Sequence, residues 1–251
     1  TIARLGGRAM LATRLGDDAI AAMIEAELDG EGVDRTLVRR FAGKRSSFSS
    51  LFVDAKGERQ IVNFRDMGMS FDADWLTERL PQEFDAALAD TRWPQGGPAV
   101  LQAARALGVP AVVDAEAPIH EAMATLKAGT HVAFSMQGLR DYAGHADVER
   151  GLRQAAEAGA WVCVTDGENG VTWLAKGEVG HVPAFQVDVV DTLAAGDVWH
   201  GAFALCLGEG MAEPEAIRFA NAVAAIKCTR FGGRAGVPSR ADAEAFIRER
   251  S

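Results

Sequence analysis

Apolar and polar positions change rhythm several times along the chain. Short apolar runs bounded by Gly, Pro or Asp stand at residues 9–13, 84–90, 109–113, 131–134 and 161–165. Each is too short for a helix and predicts a buried strand. Between them lie longer stretches with apolar residues three and four apart, at 19–28 and 97–107, which predict helices. Strands alternating with helices of this length imply parallel βαβ units and a sheet covered on both faces. Residues 49–54 and 60–64 break the pattern. They predict two strands joined by the polar turn Lys56-Gly57-Glu58-Arg59, a small sheet apart from the main layer. The expected architecture is therefore α/β, a three-layer α/β/α core at 1–35 and 65–251 with a β insert at 36–64. Ligands of such sheets bind at the carboxyl ends of the strands. That edge gathers Arg92, Asp114, Ser135, Thr165 and the turn 191–197.

The turn is the most informative stretch. Asp191-Thr192-Leu193-Ala194-Ala195-Gly196-Asp197 leads from an apolar run into a small-residue helix. Three tiny residues let the backbone approach a ligand, and a helix opening there presents unpaired N–H groups and its positive dipole end. Such a turn can hold an anion. Asp197, in the first helical turn, reads either as a cap or as a carboxylate facing that anion. The second reading is phosphoryl transfer, with the carboxylate taking a proton from an attacking hydroxyl.

Composition narrows the partners. Of 251 residues, 48% are hydrophobic and 24% charged, ordinary for a globular chain, and the formal charge of −9 argues against a nucleic-acid partner. Cys163, Cys206 and Cys228 lie in apolar surroundings without metal-ligand spacing, which predicts buried thiols in a reducing cytoplasm. No run of roughly 18 apolar residues predicts a membrane span.

The stretch 191–197 matches every fixed position of D-T-x-[GA]-A-G-D and so resembles the second signature of the ribokinase-like, or PfkB, carbohydrate kinases. The resemblance implies a general base at Asp197, an anion hole from the amides of Ala194, Ala195 and Gly196, and ATP with Mg2+ as the donor. It implies ATP contacts from Thr165, Gly167 and Gly170, which match T-x-G-x-x-G, and from Asn221 beside the base or ribose. It also implies a potassium-like site of mainly backbone oxygens at Asp191, Leu193, Lys227, Arg230, Gly232 and Gly236, and a β lid over the sugar that pairs two subunits. Where many members carry N-x-x-E, this chain has Ser135-Met136-Gln137-Gly138. Magnesium would then rely on ATP oxygens, waters and carboxylates such as Asp114 or Glu116. His200, one helical turn beyond Asp197, reads as a core or supporting histidine.

Lys56-Gly57-Glu58-Arg59 leading to Asn63, Ala89-Asp90-Thr91-Arg92-Trp93, and the run from Ala224 to Pro238 look like the sulfofructose kinase branch. That resemblance implies Asn63 and Arg92 as the sulfonate holders and 6-deoxy-6-sulfofructose as substrate, with ribose, fructose, ketodeoxygluconate or a nucleoside as alternatives. A non-catalytic sensor on the same fold is the other class. Thr1-Ile2-Ala3-Arg4-Leu5-Gly6-Gly7 reads as a helix end with its Gly terminator, so the comparison also implies an upstream strand and helix.

Overall fold

The computed structural model describes residues 1–53 and 59–250. They form two compact units, Arg8–Arg79 and a larger one of Thr1–Gly7 with Leu80 onward.

In the smaller unit, β1 (Met10–Gly16) pairs in parallel with β2 (Asp34–Phe41) across helix α1 (Ala19–Gly30). Asp18 caps α1 through Ala21 N and also accepts the amide and hydroxyl of Ser46, which pins the start of the helix to the next loop. β3 (Phe48–Val53) and β4 (Arg59–Phe64) form an antiparallel hairpin, and a short helix α2 spans Asp74–Thr77. Its expected turn residues Lys56, Gly57 and Glu58 lie outside the described residues. The unit is wider than the expected insert 36–64. β1 and α1 belong to it, because β1 spends its hydrogen bonds on β2 instead of entering the main sheet.

In the larger unit, six strands run in the order β10-β9-β8-β7-β6-β5. They are β5 (Ala87–Ala89), β6 (Ala111–Ala115), β7 (His131–Ser135), β8 (Trp161–Thr165), β9 (Val171–Ala175) and β10 (Glu178–Val182). β5 to β8 are mutually parallel, whereas β8, β9 and β10 make an antiparallel meander. The apolar run at 84–90 yields only the three residues of β5. Alternation along the strands sorts the core into two layers. Val112, Ala133 and Cys163 face α7 (Ala195–Gly208), α8 (Glu213–Cys228) and α9 (Arg240–Arg248). Val113, Phe134 and Val164 face α3 (Gly96–Leu107), α4 (Met123–Ala128), α5 (Met136–Ala143) and α6 (Val148–Ala156). The result is the expected three-layer α/β/α sandwich with a mainly parallel sheet.

All three cysteines are free, and burial pushes each thiol up, so none is a reactive thiolate at neutral pH. Among the described residues, no helix is long and apolar enough to cross a membrane.

Candidate active site

The site is built around the start of α7. Its N-cap is Ala194 at φ 62° and ψ 17°, a left-handed conformation disfavoured for any residue with a Cβ, and no side chain caps the helix. The Ala195 N–H bonds Thr192 O at 3.2 Å and Val198 N bonds Ala194 O at 2.9 Å. The amides of Gly196 and Asp197 meet no protein acceptor among the described residues. Of the expected hole at 194–196, the Ala195 N–H is spent within its own turn, whereas the Ala194 and Gly196 N–H groups meet no protein acceptor among the described residues. Gly196 has no positive φ, and a Cβ added there would meet nothing within 4 Å. The fold does not require this glycine, so the bare backbone is free for a ligand's close approach.

Asp197 is exposed to solvent, yet its carboxyl is pushed up, first by partial burial and then by Glu116 and Asp90, against the opposing pull of His200. Beneath it lies Asp114 at the end of β6. Burial, joined by the charges of Asp197, Glu116 and Asp90 and resisted by His200, pushes its carboxyl up to about 6. Asp114 Oδ1 has no hydrogen-bond partner and lies 3.5 Å from His200 Nε2. The His200 ring is buried. Its Nδ1 donates to Gly196 O at 2.8 Å, while Nε2 faces Ala133 O at 3.3 Å as well as Asp114. The polar neighbours of the two ring nitrogens, Gly196 O, Ala133 O and Asp114 Oδ1, are all oxygens. His200 thereby props the first turn of α7 through Gly196 and does not itself reach solvent.

The other end of the turn is tied to α8. Val190 N and Asp191 N both donate to Cys228 O, at 2.8 and 3.1 Å. The Asp191 carboxylate accepts from Leu193 N at 2.8 Å and Gly232 N at 3.0 Å, and those amides, with Lys227, hold it below the usual carboxylate range. Lys227, fully buried, places Nζ 2.7 Å from Asp191 O and 3.5 Å from its Oδ2.

This arrangement tests the potassium-like site. The carbonyls of Lys227 and Gly232 do converge, since a Cβ on Gly236 would lie 3.3 and 3.0 Å from them. However, Lys227 O already accepts Arg230 N, and Gly232 O accepts Gly236 N. An ammonium rests on Asp191 O. A second cation about 4 Å from it would meet repulsion on the order of 4 kcal/mol at an effective dielectric constant of about 20. Asp191, Leu193, Lys227, Arg230, Gly232 and Gly236 therefore do not fit a free monovalent ion.

Thr165, at the end of β8, is half-buried with its hydroxyl 3.4 Å from Phe134 O. Gly167 (φ 51°) and Gly170 (φ 91°) shape the turn into β9, and a Cβ on Gly170 would strike Val182 O at 2.3 Å. Packing alone explains Gly170. Asn221 departs further from its expected role. Its Oδ1 accepts Trp199 Nε1 at 2.8 Å, and its Nδ2 donates to Pro183 O at 3.0 Å and Val182 O at 3.4 Å. Buried, it spends both amide hydrogens and one lone pair of its oxygen on the core.

Arg92 is exposed on the loop after β5. Its amide bonds Asp90 Oδ1 and its Nη2 donates to Ala117 O at 3.0 Å, leaving most of the guanidinium fork to solvent. Asn63 is exposed on β4 of the smaller unit, its Oδ1 accepting Ser49 Oγ at 2.6 Å. The missing N-x-x-E carboxylate has a steric reason. Ser135 caps α5 through Gly138 N, and a Cβ on Gly138 would sit 2.0 Å from Ala115 O. No side chain fits where that motif would end. Among the described residues, no cluster of three or more His, Cys, Asp or Glu is arranged to hold a metal.

Three features escaped the sequence reading: the buried Lys227 ammonium, the carboxylates Asp90 and Glu116 that press on Asp197, and an apolar lip. Val189, Val190, Leu193 and Phe231 are all exposed, Phe231 to 85%, and the glycine loop at Gly233 abuts Leu193 and Ala194. The clue to the lip lay in Val189-Val190 and Phe231 flanking glycine-rich turns, where apolar residues have no core to fill.

Comparison with known proteins agrees with this geometry. The model of the pfkB family carbohydrate kinases matches residues 1–240. Ribokinase of Haemophilus influenzae is 26% identical over 98% of this chain and 83% of its own length. The match to Bacillus subtilis ribokinase is 38% identical but spans 84 residues, 34% of this chain and 29% of that protein. A crystal structure of a candidate ribokinase from Agrobacterium tumefaciens superposes with a TM-score of 0.90 at 36% identity, covering 99% of this chain and 83% of the other. With its layers in place and the family model matched across nearly its whole length, the chain belongs to the pfkB family of carbohydrate kinases.

Proposed function

We propose that the chain transfers the γ-phosphoryl group of ATP to a hydroxyl of a ketose that bears an anionic group at its far end, such as 6-deoxy-6-sulfofructose. The carrying observation is Asp197, a solvent-facing carboxyl held above its ordinary range beside two acceptor-free amides. A base so raised is better matched to an alcohol near neutral pH. Asp197 takes the hydroxyl proton as the oxygen attacks, and the Gly196 and Asp197 amides face the charge on the moving phosphoryl group. His200 and Asp114 hold that turn in place. The apolar lip of Val189, Leu193 and Phe231 offers a surface for the nucleobase, and Thr165 with Gly167 lies at the same sheet edge. Magnesium would enter with the nucleotide, held by phosphate oxygens and water, and would neutralise the donor's charge.

Arg92 supports the anionic substrate, because a planar guanidinium can donate two parallel bonds to a tetrahedral anion. Asn63 is the second holder. The exposed apolar side chains of Phe48, Phe52 and Val62 on the β3–β4 hairpin suit pairing with a second copy, as a homodimer, and the buried thiols suit a reducing cytoplasm. A neutral pentose is the second reading, favoured by the ribokinases among the relatives.

ADP release across 6-deoxy-6-sulfofructose, fructose, ribose, ketodeoxygluconate and adenosine tests the assignment. Arg92→Ala is expected to raise KM for the sulfonated ketose by about 10- to 100-fold, the loss of a charge-assisted pair, with little change for ribose. Equal effects on both sugars would reject the anion clamp, and absence of ADP release with every sugar would leave a ligand sensor.

A further inference from the structure

Lys227 is a fully buried lysine, and such a residue persists only where its charge is paired and hydrogen-bonded. Both conditions are met by one residue, Asp191, through its carbonyl at 2.7 Å and its carboxylate at 3.5 Å. The next residue along α8, Cys228, accepts the amides of Val190 and Asp191 with its carbonyl. Two consecutive residues of α8 therefore hold the same dipeptide, one through an ammonium and one through an oxygen. Asp191 passes that restraint on, because its carboxylate fixes Leu193 N and Gly232 N. Leu193 directly precedes Ala194, the strained N-cap whose left-handed turn aims the Gly196 and Asp197 amides. The strain at Ala194 requires surroundings that over-determine it, and the Asp191 network supplies them.

We propose that the Lys227 ammonium is a tethered substitute for a monovalent cation, taking the place such an ion would have on the Asp191 carbonyl and carboxylate and so making the anion-binding turn independent of potassium. Two oxygens of Asp191 meet the ammonium, the carbonyl at 2.7 Å and the carboxylate at 3.5 Å. Oxygens brought together at a buried point repel one another unless a positive charge lies between them. Lys227 is a positioning residue: it touches neither nucleotide nor sugar and acts through Asp191. The activity arm of its test rests on the kinase function proposed above, whereas the stability arm does not.

Thermal unfolding and ADP release with 6-deoxy-6-sulfofructose and ribose would be measured at fixed ionic strength in choline, sodium, potassium and ammonium chloride. The wild-type chain is expected to keep its melting temperature and its rate within about twofold across the four salts, since screening is the same in all. Lys227→Ala opens the position. It is expected to lose about 10- to 100-fold in rate in choline as the turn relaxes, and to melt lower. Potassium or ammonium should restore much of both. Lys227→Met fills the volume without charge and should be slow and less stable in every salt, with no recovery. A wild-type melting temperature or rate that rises with potassium over choline would overturn the proposal, as would a Lys227→Met chain matching the wild type. If no sugar is turned over, the kinase reading fails alone, because the salt response of the melting temperature still decides the role of Lys227. Should Lys227→Ala fail to fold in choline but fold in potassium, that outcome supports the substitution, and failure in both salts leaves the wild-type salt series and Lys227→Met to decide.

Discussion

Two aspartates stand six residues apart in one turn, and their surroundings are opposite. Asp191 accepts two amides and lies beside a buried ammonium, so its carboxyl is held down and its charge is consumed by the protein. Asp197 faces solvent with two other carboxylates pressing on it and only a buried imidazole in opposition, so its carboxyl is pushed up. The same side chain is a fastener at one end of the turn and, in the function proposed above, a base at the other. What separates them is whether the backbone donors nearby point at the carboxylate or past it. At Asp191 they point at it. At Asp197 the amides of Gly196 and Asp197 are left for something else, and that surplus of donors beside a raised acid distinguishes a working carboxylate from a cap.

Substitutions at the two ends should separate cleanly. The largest effect is expected from Asp197→Asn, a loss of about 10²- to 10⁴-fold in kcat, the range of a general base, with ATP binding and melting temperature kept. A variant retaining most of its rate in the ADP-release assay would remove Asp197 from the base role. Asp191→Ala should act on stability instead. It leaves Lys227 its main-chain acceptor but removes the opposing charge and the acceptor of two amides, and breaking a buried pair from one side costs about 3–5 kcal/mol, readable by urea denaturation. If Asp191→Ala proved milder than Asp197→Asn in that measurement, the contrast would be void.

Asp114 lies between these extremes and gives the contrast a pH signature. The folded chain holds its proton up to about 6, whereas an unfolded aspartate releases it near 4. The native state thus binds more protons across that window, and this residue's contribution to stability falls as pH rises through it. Asp114→Asn should flatten that fall and make the chain about 2–3 kcal/mol more stable at pH 7 and above, from roughly two units at about 1.4 kcal/mol each. Identical pH–stability curves for the variant and the parent would show that Asp114 is not strained by its burial. The smallest effect is expected from Gly196→Ala. Alanine in an open helical position should stabilise by about 0.5–1 kcal/mol, while its methyl obstructs the anion and weakens ATP binding. Unchanged affinity in calorimetry would show that nothing approaches that backbone.

Much of this was legible in the sequence because it is local. The strands at 131–134 and 161–165 and the helix at 97–107 are written in contiguous apolar rhythm, and the turn 191–197 carries its geometry in three tiny residues. What escaped depends on partners distant in the chain. β1 left the main sheet because β2 offers it a parallel partner, a choice its own apolar run cannot encode. Asn221 became a core bolt only because Trp199, one helix earlier, aims an indole N–H at it. Lys227 was partly readable: a lone lysine four residues beyond Val223 continues an apolar helix face and calls for an anionic partner. That partner, Asp191, is 36 residues upstream.

The commitment of Asn221 to the core carries through to the choice of fuel. With that amide locked against Trp199, Val182 and Pro183, the nucleobase surface proposed at Val189, Leu193 and Phe231 would meet a purine with grease rather than with lettered edges. Adenine and guanine present much the same flat face to such a surface. GTP should accordingly serve as donor with a KM within about tenfold of that for ATP, since no edge-reading bond is available to separate them. A steeper preference in a side-by-side titration would mean that main-chain groups read the base. Absent such reading, the abundance of each triphosphate in the cell would set which one is consumed.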